Sequence, residues 1–273
     1  MYPDICGHKR HSTSYLHYAI QDYENSSKVH IAFMFIVLIG TFCAYAFQIT
    51  SFLRKKTSVG ISPITFQLAM LGSTITLMSE NYSTMYKIVG ASQGGGWPGF
   101  VTYLPYLQIA SIPVAYLVYT LLYFRYASPS IKASRAYRIT TIFCTLNVIF
   151  AAIVVPLSGV YNLKYGWCSK AMQNASNIAG IVASVEAFFV WADTIRTTYR
   201  DKGNGSLSLG MLCIECPGDF ITFMALLLSH TNALTASSYI VSASQELVVI
   251  GMLIYYRCIK KERNDDEISE SDY

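Results

Sequence analysis

Three observations predict an all-α membrane protein, with seven transmembrane helices arranged as two parallel three-helix bundles joined by a linker helix (3+1+3). First, the chain is 53% hydrophobic and only 13% charged, whereas soluble domains carry about a quarter charged residues. Second, its apolar residues gather into seven runs, each near the length of about 20 residues that a helix needs to cross a bilayer. Third, one stretch occurs twice. Sliding the segment from Phe42 to Met78 along the chain by 146 positions, without a gap, lays Phe42 on Phe188, Ile49 on Ile195, Arg54 on Arg200 and Lys56 on Lys202. It also lays Ser62 on Ser208, Gly72 on Gly218 and Met78 on Met224. Self-similarity at a fixed offset marks an internal duplication.

The spans are predicted at 30–53, 62–79, 100–124, 138–158, 176–199, 208–230 and 235–256. Residues 1–29 form a lumenal N-terminal segment that lacks the apolar core of a cleaved signal peptide. Residues 30–126 hold the first repeat, 127–160 the linker helix and 161–260 the second repeat. Residues 261–273 are an acidic cytosolic tail, expected to be disordered. A linker of one crossing gives both bundles the same orientation, so the repeats are expected to be parallel about an axis along the membrane normal. Between the second and third spans, 80–99 reads as the longest loop, turning at Gly94-Gly95-Gly96-Trp97-Pro98. Trp97, Tyr103 and Tyr106 suit an interfacial aromatic belt.

Lys and Arg set the orientation. Fourteen of the twenty fall in the tail and the loops after spans one, three and five, which places the N-terminus in the lumen and the C-terminus in the cytosol. The N-x-[ST] sequons at Asn25, Asn81 and Asn174 then face the lumen and are expected to be glycosylated, while that at Asn204 is cytosolic. A net charge of +4, scattered along the chain, gives no nucleic-acid footprint. The seven cysteines lie mostly inside apolar runs, which argues against a disulfide framework. No nucleophile triad, phosphate loop or histidine cluster is visible, so neither an enzyme nor a metal or cofactor is expected. Cys213-Ile214-Glu215-Cys216, an isolated C-x-x-C inside a spanning helix, is weak evidence for redox chemistry.

Ionisable side chains inside spans are costly and mark candidate sites. Glu215 lies mid-span beside Pro217, and Asp219, one turn on, shares its helix face. Glu186 stands where the first repeat has Gly40, and Glu246 follows Gln245 in the last span. A hydrogen-bonded structural carboxyl is the alternative for each. Asp193 sits three residues before Arg196 and reads as an ion pair at a helix end. Gly72 and Gly218 are small residues that allow close helix approach, with solute clearance as the second role. Gln48, Gln108, Asn147 and Gln245 read as interhelical hydrogen-bonding groups.

The pattern of apolar helix, basic loop, serine and second apolar helix, read twice across seven spans, resembles the PQ-loop repeat family, in its cystinosin-like and fungal-type branches. The similarity runs from His30 to Lys260 and is carried by Ser62-Pro63 with Leu71-Gly72 in the first copy. In the second copy, Ser208, Pro217-Gly218 and Asp219 carry it. Phe47-Gln48 and Asp193-Thr194 stand where that family has Pro-Gln, which leaves Pro63 and Pro217 to kink the partner helices. The resemblance implies a proton-coupled carrier of a small polar solute, an amino acid, in a vacuolar, lysosomal or other endomembrane compartment. Glu215 would take the proton-coupling role. Its partners would be lipid, solute and protons. A non-transporting seven-span receptor or scaffold and a lipid-handling protein are the other classes in view.

Overall fold

The computed structural model describes residues 24, 28–57, 62–94, 96–165, 169–202, 207–228 and 233–271. Among them are seven long helices and one short one. These are α1 (Lys28–Lys55), α2 (Pro63–Gly94), α3 (Gly96–Tyr126), the single turn α4 (Pro129–Lys132), α5 (Arg135–Tyr165), α6 (Lys170–Asp201), α7 (Leu209–Leu228) and α8 (Ala233–Ser271). Five stretches are long and apolar enough to cross a bilayer: Ile31–Lys55, Gly96–Tyr126, Arg135–Tyr165, Lys170–Arg200 and Ser237–Cys258. The chain is therefore a multi-pass integral membrane protein. Its outward faces agree, since Ile142, Phe143, Leu146, Ile149 and Ile153 of α5 are all exposed. Outside a membrane such a surface would be a liability to aggregation.

Two expectations about connectors fail. The predicted loop 80–99 is mostly helix: α2 runs on to Gly94 and α3 begins at Gly96, whose φ of +65° makes the turn. The extension is helical because Leu77, Asn81, Ile88 and Ala91 recur at helical spacing and are all buried. The close turn also needs Gly99, where a Cβ would come within 2.7 Å of the Ala91 carbonyl. The tail, expected to be disordered, continues α8 through Ser271.

Contacts define the arrangement. α3 packs on both α1 and α2, and α8 packs on both α6 and α7. Across the middle, α1 meets α7 and α2 meets α6. Hydrogen bonds and ring pairs fix the directions. Gln48, late in α1, bonds Ser208 at the start of α7, and Thr65, early in α2, bonds Asp193 late in α6. Phe35 stacks with Trp97 at one end of the α1–α3 pair, and Tyr45 meets Tyr119 further along, so those helices run parallel. Trp191 with Ser242 and Ser184 with Ser237 give α6 and α8 the same relation. Lys56 and Lys202, which the 146-residue offset pairs, are both left-handed, with φ of 48° and 45°, just past the ends of α1 and α6. Both helices thus end in the same αL stop, made with lysine where glycine is the usual choice.

α2 is the hub. It packs against α3, α5 and α6 and carries most of the buried polar bonds. Gln67 Nε2 donates to Thr120 Oγ1 at 2.9 Å, and Asn147 Nδ2 donates to the Gln67 carbonyl at 2.9 Å. Ser79 and Ser176 exchange bonds across the α2–α6 seam. Asn81, expected to be a glycosylated loop residue, is 1% exposed, and its Nδ2 donates to the Val155 carbonyl and to Ser158 Oγ. An amide so enclosed has no room for a glycan. Asn174 is exposed near the start of α6, while Asn25 and Asn204 lie outside the described residues.

Candidate functional site

A cavity of about 340 Å³ lies between α1, α3 and α7, with Tyr239 of α8 closing one side. α1 contributes a wall of small residues, Gly40, Thr41 and Ala44, ending in Tyr45. α3 contributes Gln108 and Ile112. α7 contributes the chemistry: Glu215, Pro217, Gly218, Asp219 and Thr222 all face in. No Lys, Arg or His is among the lining residues. Two carboxyls thus share a largely apolar chamber with no protein cation to balance them, a costly arrangement inside a membrane.

The helix is itself opened at this place. Pro217 sits inside α7 and has no N–H to donate, so the carbonyl of Cys213, another lining residue, loses its helical donor. Glu215 Oε2 is buried and without a hydrogen-bond partner. Asp219 lies close to Ser242 of α8. That hydroxyl is a junction, for it donates to Glu246 Oε1 at 3.1 Å and accepts from Trp191 Nε1 at 2.8 Å. Ser242 thus sits beside the lining carboxyl Asp219 and is bonded to Glu246, which is fully buried behind the cavity wall and keeps Oε2 unpaired. Tyr45, Tyr116 and Tyr119 lie within electrostatic reach of Glu215. The Tyr119 hydroxyl is buried and also lacks a hydrogen-bond partner. Such a chamber can receive a solute that brings hydrogen-bond donors. It can also pass a proton between carboxyls that no protein donor fully satisfies.

No protein-family model matches the sequence, and no curated protein matches it.

Of the candidate carboxyls, the structure brings Glu215, Asp219 and Glu246 together and leaves Glu186 apart, in the α2–α6 seam against Gly72. The residues at the Pro-Gln positions tie one bundle to the other. Gln48 Oε1 accepts the Ser208 N–H at 2.9 Å, and Phe47 packs over Gly210, where a Cβ would come within 3.2 Å of its ring. Ser208 Oγ in turn accepts the Met211 N–H and caps α7. On the opposite seam, Asp193 accepts from Thr65 Oγ1 at 2.8 Å, across to α2 rather than along its own helix to Arg196 as expected. An aspartate that late in α6 faces the first turn of α2, where a hydroxyl is nearer than a solvated guanidinium. Thr194 bonds back to the Val190 carbonyl, and Ser62 and Pro63 open α2. Gly218 faces the cavity with open space around it.

Sequence reasoning passed over Tyr45, Trp191 and Ser242. A signal existed for the first two: the 146-residue offset pairs Tyr45 with Trp191, an aromatic match three residues after the matched Phe42 and Phe188. Ser242 stands four residues before Glu246 on α8, the spacing at which a hydroxyl meets a carboxyl on one helix face.

Proposed function

We propose that the protein is a seven-span carrier for a small polar solute, an amino acid, driven by protons across an endomembrane of the vacuolar or lysosomal kind. In this reading all seven long helices cross the bilayer. α1–α3 and α6–α8 form parallel three-helix repeats, with α5 as the linker. The cavity on the α1–α7 seam is the solute site. Glu215 loads the proton, and Asp219, Ser242 and Glu246 form the polar path behind it. One observation carries this: a cavity between α1, α3 and α7 has two carboxyls and no Lys, Arg or His among its lining residues. A receptor or scaffold has no need to bury uncompensated carboxyls around a space of solute size. The Pro-Gln positions support the same reading, because Gln48 and Asp193 join opposite bundles at the seams that must shift if the bundles rock. Pro217 supplies the break in α7 that a hinge needs.

The test is uptake. The full chain, reconstituted into vesicles with an acidic exterior, should accumulate at least one amino acid from a panel only while the pH difference lasts. Collapsing the gradient with an ionophore should release it. A full panel showing neither gradient-driven uptake nor exchange would leave the receptor reading in its place.

A further inference from the structure

The duplication allows each half of the molecule to be compared with the other. On the α1–α7 seam, Gly40 and Gly218 both face the cavity, and a Cβ built on Gly218 meets no atom within 4 Å. On the α2–α6 seam, the 146-residue offset puts Glu186 in the place of Gly40 and Gly72 in the place of Gly218. The backbone around the two α2 and α7 glycines is held alike. Thr76 Oγ1 donates to the Gly72 carbonyl at 3.0 Å, and Thr222 Oγ1 donates to the Gly218 carbonyl at 2.9 Å. The space beside them differs. The Glu186 carboxyl lies directly on Gly72, so that a Cβ there would overlap both Oε2 and Cδ. Glu186 Oε1 is buried and makes no hydrogen bond.

We propose that the α2–α6 seam is a second binding site, the counterpart of the cavity, which Glu186 occupies with its own carboxyl. The glutamate side chain acts there as a tethered ligand of the short aliphatic acid or amide class. Its presence closes that seam to solute. The assignment explains two features that the cavity leaves without a role: a buried carboxyl with an unpaired oxygen remote from Glu215, and a glycine at position 72 that no turn or positive φ requires. The two α2 and α7 glycines are then constrained for opposite reasons, Gly72 by a carboxyl already seated on it and Gly218 by the need to keep its neighbourhood empty. The inference rests on the geometry of this seam and holds whether or not the cavity carries solute.

The experiment measures thermal unfolding of the full chain in detergent or lipid nanodiscs. Glu186→Gly deletes the atoms of propionic acid, so propionate and propionamide are the probes. Either probe should raise the unfolding temperature of Glu186→Gly saturably and leave the native protein unmoved. Separately, Gly72→Ala should lower the unfolding temperature of the native protein by roughly 2–12 °C through overpacking. It should cost far less in the Glu186→Gly background, where the carboxyl is gone. Equal responses to the probes in variant and native protein would overturn the proposal, as would additive effects of the two substitutions. If Glu186→Gly does not fold, Glu186→Ala with acetate and acetamide gives the same readings, because it deletes the atoms of acetic acid.

Discussion

Glu215→Gln separates proton coupling from solute binding. The substitution keeps the size and shape of the side chain and removes its titratable proton, in a cavity where no lining cation compensates for it. For one proton moved per solute, each unit of pH difference supplies about 1.4 kcal/mol, or tenfold in the steady-state concentration ratio. Two carboxyls face the chamber, Glu215 and Asp219, so two protons per cycle is the structural ceiling. Glu215 Oε2 is buried without a partner, and on that ground the exchangeable proton is assigned to Glu215. Over a two-unit gradient the native carrier should concentrate its solute about 100-fold, with a slope of one decade per pH unit. Glu215→Gln should flatten that slope to zero. Counterflow exchange of labelled for unlabelled solute should survive, because it needs binding without net proton movement. The assay is a series of vesicle preparations at graded pH differences, comparing accumulation slopes with exchange rates. A Glu215→Gln slope equal to the native one would show that the residue is structural, and a lost exchange rate would show that it holds solute rather than protons.

Four further outcomes follow from the geometry. Glu246→Gln should lower the accumulation slope less than Glu215→Gln, because Glu246 is bonded to Ser242 behind the cavity wall rather than facing the solute. Gln48→Leu strands the Ser208 N–H at the α1–α7 seam and should cost about 1–3 kcal/mol, read as a lower unfolding temperature with α7 the first segment to exchange amide hydrogens. Lys56→Gly and Lys202→Gly, each at a left-handed position, should each raise stability by roughly 1 kcal/mol, read as a higher unfolding temperature. Among the sequons, Asn174→Gln should remove a deglycosylation-sensitive mobility shift, whereas Asn81→Gln should leave the shift unchanged while weakening the α2–α5 contact.

What the sequence made legible is what periodicity and duplication carry. The seven apolar runs correspond to the seven long helices, and the paired lysines at 56 and 202 appear in one backbone conformation. Glu215 and Asp219 were legible as a pair because four residues is one turn. What stayed hidden depends on contacts between distant segments. Composition cannot distinguish a polar loop from a polar helix buried among others, so α2 beyond Ser79 read as a connector and Asn81 as a glycan acceptor. A sequon reports only three residues, and the groups that enclose Asn81 lie on α5, more than 70 positions away. Asp193 read as a partner for Arg196 because spacing along a helix is visible and a threonine 128 positions earlier is not. Glu186 read as one more carboxyl of a shared pathway. Its separation from the other three follows from which helix α6 packs against, which no local pattern encodes.

The polar character of α2 has a consequence for how the chain is made. Lipid alone cannot satisfy Gln67 and Ser79, and their bonding partners Thr120, Asn147 and Ser176 are synthesised later. The first lies 53 positions downstream, the second 80 from Gln67, and the third 97 from Ser79. At roughly 5–20 residues per second, that interval is about 5–20 s of translation. On the seven-span reading proposed above, α2 must during it be sheltered by the insertion machinery or by a chaperone in the membrane rather than released sideways as an independent span. Ribosome-bound chains stopped before α6 emerges should therefore cross-link from α2 to the insertion machinery, and chains in which α6 has emerged should not.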